Sequence, residues 1–367
     1  MIWQQVMVLI VILITIQYLI LWILLRKNYK NYQATAFEFP PVAILVPCRN
    51  EGKILERCLK SIDALDYPRD KIQVVLADDR SEDDTGKIIA DWTSVRDNWV
   101  QVRIAEEPGK NRNGKANALM QMITQSNADR LFFTDADCSL PPTWIREMLG
   151  AYQIDFGLVT GITTVEGGGF FGGMQALDWW LTLGIIKVVS DLGYNLTAMG
   201  NNMVVAKDAY HKVGGFENIS QHVTEDLALA MALFRAGYRP ILKVSPGCLV
   251  KTLPEPTFMR LLQQRKRWMK GAFLLPWYWK LILGLQVAFY ACMVIFVFYF
   301  PISGLLFWGA KLVFQIRFLR EIAWKTETKL PILRLICFEI YNWIVSWATV
   351  IYYFWPSGIQ WKNRKYR

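Results

Sequence analysis

Residues 6–25 contain no charged side chain, and Thr15 and Gln17 are their most polar members. Twenty helical residues at about 1.5 Å each reach about 30 Å, the thickness of a bilayer core. Arg26, Lys27 and Lys30 follow at once. The excess of basic residues on the inner side of spans then places the downstream chain in the cytoplasm, so residues 1–27 are predicted to be a signal anchor with its N terminus outside. A cleavable signal peptide needs a basic lead and a small-residue cleavage site, and this stretch has neither.

The far end is apolar again. Residues 281–310 carry no charge and are broken at Pro301. They are long for one upright span and short for two, unless residues 310–316 join them and Lys311 snorkels to the interface. Residues 335–354 form a further candidate, although Glu339 at mid-bilayer costs roughly 2.5–3.5 kcal/mol. Four spans would leave the basic tail, residues 361–367, outside, whereas three would leave Arg317, Arg320, Lys325 and Lys329 there. An interfacial or re-entrant last segment satisfies both, so the count stays open. Between them, in residues 257–280, Arg260, Arg265, Lys266, Arg267 and Lys270 interleave with apolar and tryptophan positions and no acid appears. Such a pattern suits either an interfacial helix or a polybasic cytosolic flank.

Residues 41–255 read differently, as short β-branched runs alternating with helical spacing. Val42 to Val46, ended by Pro47, predicts a buried strand; residues 72–76, 100–104 and 131–133 predict three more. Ile54, Cys58, Leu59, Ile62 and Leu65 recur at helical spacing, and residues 88–92 end a second helix. This alternation predicts an α/β fold with a mostly parallel sheet covered by helices on both faces. In such sheets ligands bind beyond the carboxyl ends of the strands. The polar clusters fall there: Arg49 to Glu51 after the first strand, Asp78-Asp79 after the second, Asp135-Ala-Asp137 after the fourth. Residues 170–189, with Asp178-Trp-Trp180, read as a buried helix or an amphipathic segment on the bilayer, and the glycine-rich lead at 167–173 favours the second.

Composition narrows the chemistry. The chain has 367 residues, 53% of them apolar, and 41 Lys and Arg against 31 Asp and Glu give a net charge of +10. This balance suits an anionic partner, such as a phosphorylated small molecule or an acidic membrane surface. A nucleic-acid role fits poorly, because the basic residues gather beside apolar spans rather than on a soluble face. The six cysteines show no metal-ligand spacing, which argues against a disulfide scaffold or structural zinc.

No G-x-G-x-x-G follows a strand, which removes the dinucleotide reading. Gly109 to Lys115 approaches a P-loop, but Ala116 has no hydroxyl for magnesium; the loop still suits a diphosphate, or is a plain basic turn. Asp135 and Asp137 offer the paired carboxylates that Mg²⁺ or Mn²⁺ takes alongside phosphate oxygens, although turns favour Asp anyway. Thr224-Glu225-Asp226 opens a helix with Leu227, Ala230, Met231 and Phe234 on its apolar face. Thr224 is expected to cap it, with two acids complementing the dipole; the functional alternative makes one carboxylate a general base. His222 lies close enough in sequence to approach a metal, while His211 and His222 both suit ordinary surface or core positions. The sequons at 195–197 and 218–220 are inert in a cytoplasmic domain.

Taken in order, Val46-Pro-Cys-Arg-Asn-Glu51, Ala77-Asp-Asp-Arg-Ser-Glu-Asp-Asp-Thr85, Gly114-Lys-Ala-Asn-Ala-Leu119, Asp135-Ala-Asp137, Thr224-Glu-Asp226 and Gln264-Arg-Lys-Arg-Trp268 resemble family 2 inverting glycosyltransferases of the GT-A fold. The last is the Q-x-x-R-W signature of the membrane-bound branch that includes ceramide glucosyltransferase and the cellulose and hyaluronan synthases. The resemblance implies a Rossmann-like GT-A domain over residues 40–255, a basic interfacial helix over 256–280 and a membrane region over 281–367. It implies that Pro47, Arg49, Glu51, Lys115 and one or both of Asp78 and Asp79 bind a UDP-sugar. Asp135 and Asp137 would hold Mg²⁺ or Mn²⁺ on its diphosphate, and Gln264, Arg267 and Trp268 would close over diphosphate and acceptor. Asp226, beside Glu225, would be the catalytic base. One departure is Arg80, which follows the Asp pair where many members carry glycine.

Two acceptors fit, a membrane lipid and a growing polysaccharide. A polymer needs a tunnel, usually built from more spans than three or four, so a glycolipid of a bacterial inner or plasma membrane is the first expectation. A non-catalytic membrane scaffold on the same fold predicts loss of the acids, yet every acidic position is filled.

Overall fold

The computed structural model describes residues 2–33, 39–104, 113–151, 157–218, 224–239, 241–361 and 364–366. In chain order its elements are α1 (Ile2–Lys27), β1 (Val42–Cys48), α2 (Leu55–Asp63), β2 (Ile72–Asp78), α3 (Thr85–Thr93), β3 (Trp99–Arg103), α4 (Gly114–Thr124), β4 (Arg130–Thr134) and α5 (Trp144–Gly150). There follow β5 (Leu158–Gly161), β6 (Thr163–Val165), α6 (Gly169–Asp191), β7 (Asn202–Ala206), α7 (Lys207–Lys212), α8 (Gly215–Asn218), α9 (Glu225–Arg235), β8 (Ile241–Lys243) and β9 (Val250–Thr252). The chain continues through α10 (Phe258–Ala272), α11 (Trp277–Tyr299), α12 (Pro301–Trp324) and α13 (Ile332–Phe354). Two compact units result. One joins Met1–Tyr29, Gly167–Val188 and Pro254–Ile359; the other joins Lys30–Glu166, Val189–Leu253 and Gln360–Arg367.

The second unit is built on a seven-stranded sheet of order β3-β2-β1-β4-β7-β5-β8. β3, β2, β1 and β4 run parallel, as the βα alternation predicts, while β7 enters antiparallel between β4 and β5. Every residue of β1 is buried, so both its faces are covered. Ala43 and Leu45 join Leu119, Met122 and Leu229 in one core, and Val42, Ile44 and Val46 point to the other face. The first strand does not stop at Pro47, as the sequence suggested, but runs on to Cys48 opposite Asp78. The β4 ladder ends at Leu45 opposite Phe133, so the amide hydrogen that proline lacks costs no bond on that side.

Among the described residues, four helices of the first unit are long and apolar enough to cross a membrane: α1, α11, α12 and α13. The uncharged run of residues 281–310 becomes two helices, because the chain turns at Phe300 and Pro301. That turn brings Gly304 against Val297; a β-carbon on Gly304 would stand 2.7 Å from the Val297 Cα. Lys311 does not snorkel. It is 1% exposed, and its Nζ meets Glu339 Oε2 at 2.5 Å, while Trp308 Nε1 donates to Glu339 Oε1 at 3.0 Å. Tyr18, Phe289 and Tyr290 place their rings about the ammonium. The lysine expected at the interface and the glutamate that looked costly alone are thus one buried pair. The α6 helix is a buried element, not an amphipathic surface strip: Met174, Gln175, Leu177, Trp180, Leu181 and Leu183 are all enclosed. Its polar residues Gln175 and Asp178 find partners inside the fold, so the glycine-rich lead at 167–173 was no sign of a surface segment.

Lys311→Met or Glu339→Gln, which leaves one buried charge uncompensated, is expected to destabilise by about 3–5 kcal/mol in detergent. Lys311→Met combined with Glu339→Leu should recover most of that loss. Single variants that melt with the wild type would show that the pair is not held in the protein interior.

Candidate active site

Each polar cluster of the sheet unit sits where a strand ends. Beyond β1, Asn50 adopts φ +53° and its backbone amide donates to Ser81 Oγ at 3.0 Å, while Arg49 Nη1 donates to the Asp79 carbonyl at 2.7 Å. Glu51 is buried, and its amide donates to Thr85 Oγ1 at 2.8 Å. Beyond β2, the Asp78 carboxylate accepts from the Ser81 amide at 3.0 Å, and the Asp79 amide donates to the Cys48 carbonyl at 2.9 Å. Asp79 is 4% exposed and pairs with the Arg80 guanidinium at 3.3 Å. Arg80 holds φ +58°, the left-handed conformation that glycine adopts without strain. The turn survives the missing glycine at a cost of roughly 1–2 kcal/mol. Asp83 tethers the start of α3: its carboxylate accepts from the Gly52 amide and from the Thr85 amide and hydroxyl.

The centre of the site joins the starts of α4 and α9 to the end of β4. Lys115, on the first turn of α4, points its Nζ at Asp135 Oδ1 (2.6 Å) and Glu225 Oε1 (3.3 Å), and its side chain is 12% exposed. Burial alone would push the Lys115 pKa down, but the Asp135 and Glu225 carboxylates outweigh it and hold the ammonium charged well above its ordinary range. The second oxygen of Glu225 accepts from Asn113 Nδ2 at 3.0 Å, and Asn113 Oδ1 caps α4 by accepting from the Lys115 amide at 3.0 Å. Both oxygens of Glu225 are therefore committed to orienting neighbours.

Asp226 is placed differently. Its Oδ2 accepts from the Gly200 amide at 3.0 Å and its Oδ1 from the Leu227 amide at 2.8 Å. A β-carbon at Gly200 would lie 3.2 Å from Asp226 Cβ and Oδ2, so the close backbone approach suits glycine there. The residue as a whole is half-buried. Burial, then the neighbouring Glu225 charge, push its pKa up to about 6, against the lowering pull of Lys115 and two amides. Thr224 does not cap the helix as expected; its hydroxyl is buried without a hydrogen-bond partner among the described residues, and backbone amides bond Asp226 instead.

Asp135 and Asp137 flank a tight turn in which the Cys138 amide donates to the Asp135 carbonyl at 3.0 Å. Thr252 Oγ1 donates to Asp137 Oδ2 at 3.1 Å, and Arg57 Nη1 donates to the Asp137 carbonyl at 2.9 Å. Cys58 and Cys138 lie buried beneath this turn, and burial followed by the two aspartates raises their thiol pKa values, leaving them protonated and inert. Among the described residues no group of three or more His, Cys, Asp or Glu is arranged to hold a metal ion by itself. The two carboxylates are hard oxygen donors, the chemistry that Mg²⁺ or Mn²⁺ takes alongside phosphate oxygens.

Gln264, Arg267 and Trp268 lie on α10 in the other unit. There the Arg265 guanidinium stands 4.2 Å from the centre of the Trp268 ring, and Trp179 meets that ring edge-on, so the indole is partly engaged by protein. His211 is exposed and stacks edge-on with Tyr210; His222 and the Gly109–Arg112 stretch lie outside the described residues. Asn113 and Thr252 escaped the sequence reading. Asn113 had a usable signal, since it stands immediately before a helix as an N-cap residue does.

A Rossmann-like, mostly parallel sheet, with Asp135 from the end of β4 and Glu225 from the start of α9 gathered at Lys115, has the architecture of a GT-A type glycosyltransferase. Residues 5–367 match the family described as glycosyl transferase family 21, a family 2-like group, and the chain belongs to it. It is 27% identical over 248 residues to the beta-monoglucosyldiacylglycerol synthase of Synechocystis sp., covering 65% of this chain and 49% of that protein. It is 30% identical over 238 residues to the poly-beta-1,6-N-acetyl-D-glucosamine synthase of Staphylococcus aureus, covering 64% and 55%. The chain spans about half the length of these curated relatives. Among solved structures, a mannosyltransferase from Pyrobaculum calidifontis in complex with GDP-Man and Mn²⁺ matches with TM-score 0.61 at 19% identity, covering 95% of this chain and 99% of that one, and supports the fold.

Asn113→Asp tests the network. The variant keeps an oxygen for the α4 cap but sets a second carboxylate against Glu225. It should be less stable than wild type by about 1–3 kcal/mol at pH 8. The gap should narrow toward pH ~5 as one facing carboxyl, its pKa raised by the other, takes up a proton. A deficit independent of pH would separate Asn113 from Glu225.

Proposed function

We propose that this protein is a metal-dependent, inverting glycosyltransferase that moves a sugar from a UDP-sugar onto a membrane lipid at the cytosolic face, forming a β-glycoside. The observation that carries the reading is the Lys115–Asp135–Glu225 cluster beside Asp226, whose pKa of about 6 suits a base working near neutrality. Arg26, Lys27 and Lys30 after α1 support the cytosolic placement.

Pro47, Arg49, Glu51, Asp78 and Asp79 line the base and ribose end of the donor. Asp135 and Asp137 would hold Mg²⁺ or Mn²⁺, which supplies Lewis-acid neutralisation of the diphosphate when bound. Lys115 adds a fixed positive charge at the same end, and Asn113 and Glu225 keep it aimed. Gln264, Arg267 and Trp268 close over diphosphate and acceptor. Asp226 accepts the proton of the acceptor hydroxyl as that oxygen bonds to the anomeric carbon. The carbon–oxygen bond to the diphosphate breaks on the opposite face, and its electron pair leaves with UDP. One displacement on an α-linked donor yields the β-anomer through an oxocarbenium-like transition state.

A second reading, polymer synthesis, draws support from the staphylococcal relative. Four candidate spans favour the lipid, because a polymer tunnel needs more enclosure.

Membrane lipid incubated with UDP-glucose, UDP-galactose and UDP-N-acetylglucosamine should give one organic-soluble β-glycoside. A high-mass polymer would overturn the lipid acceptor, and an α-linked product would overturn inversion. In the same assay Asp226→Asn should lose roughly 10²–10⁴ in turnover with UDP binding little changed. Wild-type kcat/KM should fall as pH drops through about 6, since protonation removes the base. Near-normal turnover of Asp226→Asn would take this carboxylate out of the mechanism.

A further inference from the structure

Both ends of the Gln264–Trp268 motif are held by relays that start on one face of α6. Gln264 Nε2 donates to Glu255 Oε1 at 2.9 Å. Glu255 is bracketed in turn by Gln175: its amide donates to Gln175 Oε1 at 2.9 Å, and Gln175 Nε2 donates to its carbonyl at 3.0 Å. At the other end, Arg265 Nη2 meets Asp178 Oδ2 at 2.5 Å, with 11% and 13% of the two side chains exposed. That guanidinium lies 4.2 Å from the centre of the Trp268 ring, and Trp179 abuts the same ring at 5.5 Å. Gln175 and Asp178 are three residues apart, the spacing of neighbours on one helical face.

Lys266 pins α10 separately. It is 7% exposed and donates to the Trp355 carbonyl (2.8 Å), the Ser357 carbonyl (2.9 Å) and Ser357 Oγ (3.0 Å). With the helix so fixed, the α6 relays act on side-chain orientation. A largely enclosed Asp–Arg pair is a poor way to gain stability, because desolvation offsets most of the attraction, but it does fix geometry. A planar guanidinium laid on an indole also sets the plane of the ring.

We infer that Gln175 and Asp178 are positioning residues, which orient Gln264 through Glu255 and Trp268 through Arg265. This rests on the reading above that Gln264 and Trp268 meet the substrates. Neither α6 residue touches substrate; each acts through the motif.

The test uses the full-length protein labelled with fluorotryptophan, in which the Trp268 fluorine resonance is identified by its loss in Trp268→Phe. Asp178→Asn and Arg265→Lys should each shift that resonance, whereas Gln175→Ala should leave it near its wild-type position. Sugar transfer from radiolabelled UDP-glucose to diacylglycerol in phosphatidylglycerol vesicles supplies the second readout. Asp178→Asn should lower turnover roughly 10–100-fold, as misplaced groups do, with the KM for UDP-glucose little changed. In a Trp268→Phe background it should add nothing further. Should Asp178→Asn fail to fold, Asp178→Leu with Arg265→Met replaces the pair by apolar groups and should show the same shift and loss. An unmoved resonance, or an equal loss of turnover with and without Trp268, would overturn the inference. Wild-type turnover by Trp268→Phe, with the resonance still shifting in Asp178→Asn, would instead overturn the substrate-facing role of Trp268 on which it rests.

Discussion

One buried ammonium organises the candidate site. Lys115 lies between Asp135 at the end of β4 and Glu225 at the start of α9, so residues distant in sequence meet at a single charge. Without it, the Asp135 and Glu225 carboxylates would lose the cation they share. With it, Asp135 and Glu225 are neutralised in place, while burial and the Glu225 charge keep the Asp226 pKa raised. Under the proposed function, the structural counter-ion and the group that meets the diphosphate are then the same side chain. This explains why the neighbours, Asn113 above all, are spent on aiming it.

The parallel strands make that convergence possible. Because β2, β1 and β4 run the same way, their carboxyl ends open on one edge, and the loops after them carry Asp78, Glu51 and Asp135 to it. The membrane-type unit solves another problem with the same physics. Lys311 and Glu339 cancel each other within an apolar interior, and α6, drawn from mid-chain, buries its polar side chains against α10.

Much of this was legible in the sequence because strand runs and the turns after them are local signals. Residues 42–46, 72–76 and 131–133 are runs of apolar residues, and the acids follow directly. What escaped depends on registers that no local pattern encodes. Lys311 and Glu339 stand 28 residues apart on different helices, so each was read alone, one as snorkelling and one as a cost. Thr252 reaches Asp137 from β9, and a lone threonine carries no mark of that. Thr224 had every local feature of a cap, yet Asp226, held by the Gly200 amide from another loop, took the position that makes chemical sense. The glycine-rich lead of α6 suggested a surface segment, whereas the partners that bury Gln175 and Asp178 lie 80 and 87 residues along the chain.

Calorimetric titration of UDP, with and without Mn²⁺, into wild type and Lys115→Met tests the central claim most directly. The account predicts that Mn²⁺ strengthens UDP binding to wild type and that Lys115→Met weakens it by roughly tenfold or more, the scale of a lost charge-assisted bond. UDP binding that is indifferent both to Mn²⁺ and to the lysine would contradict it.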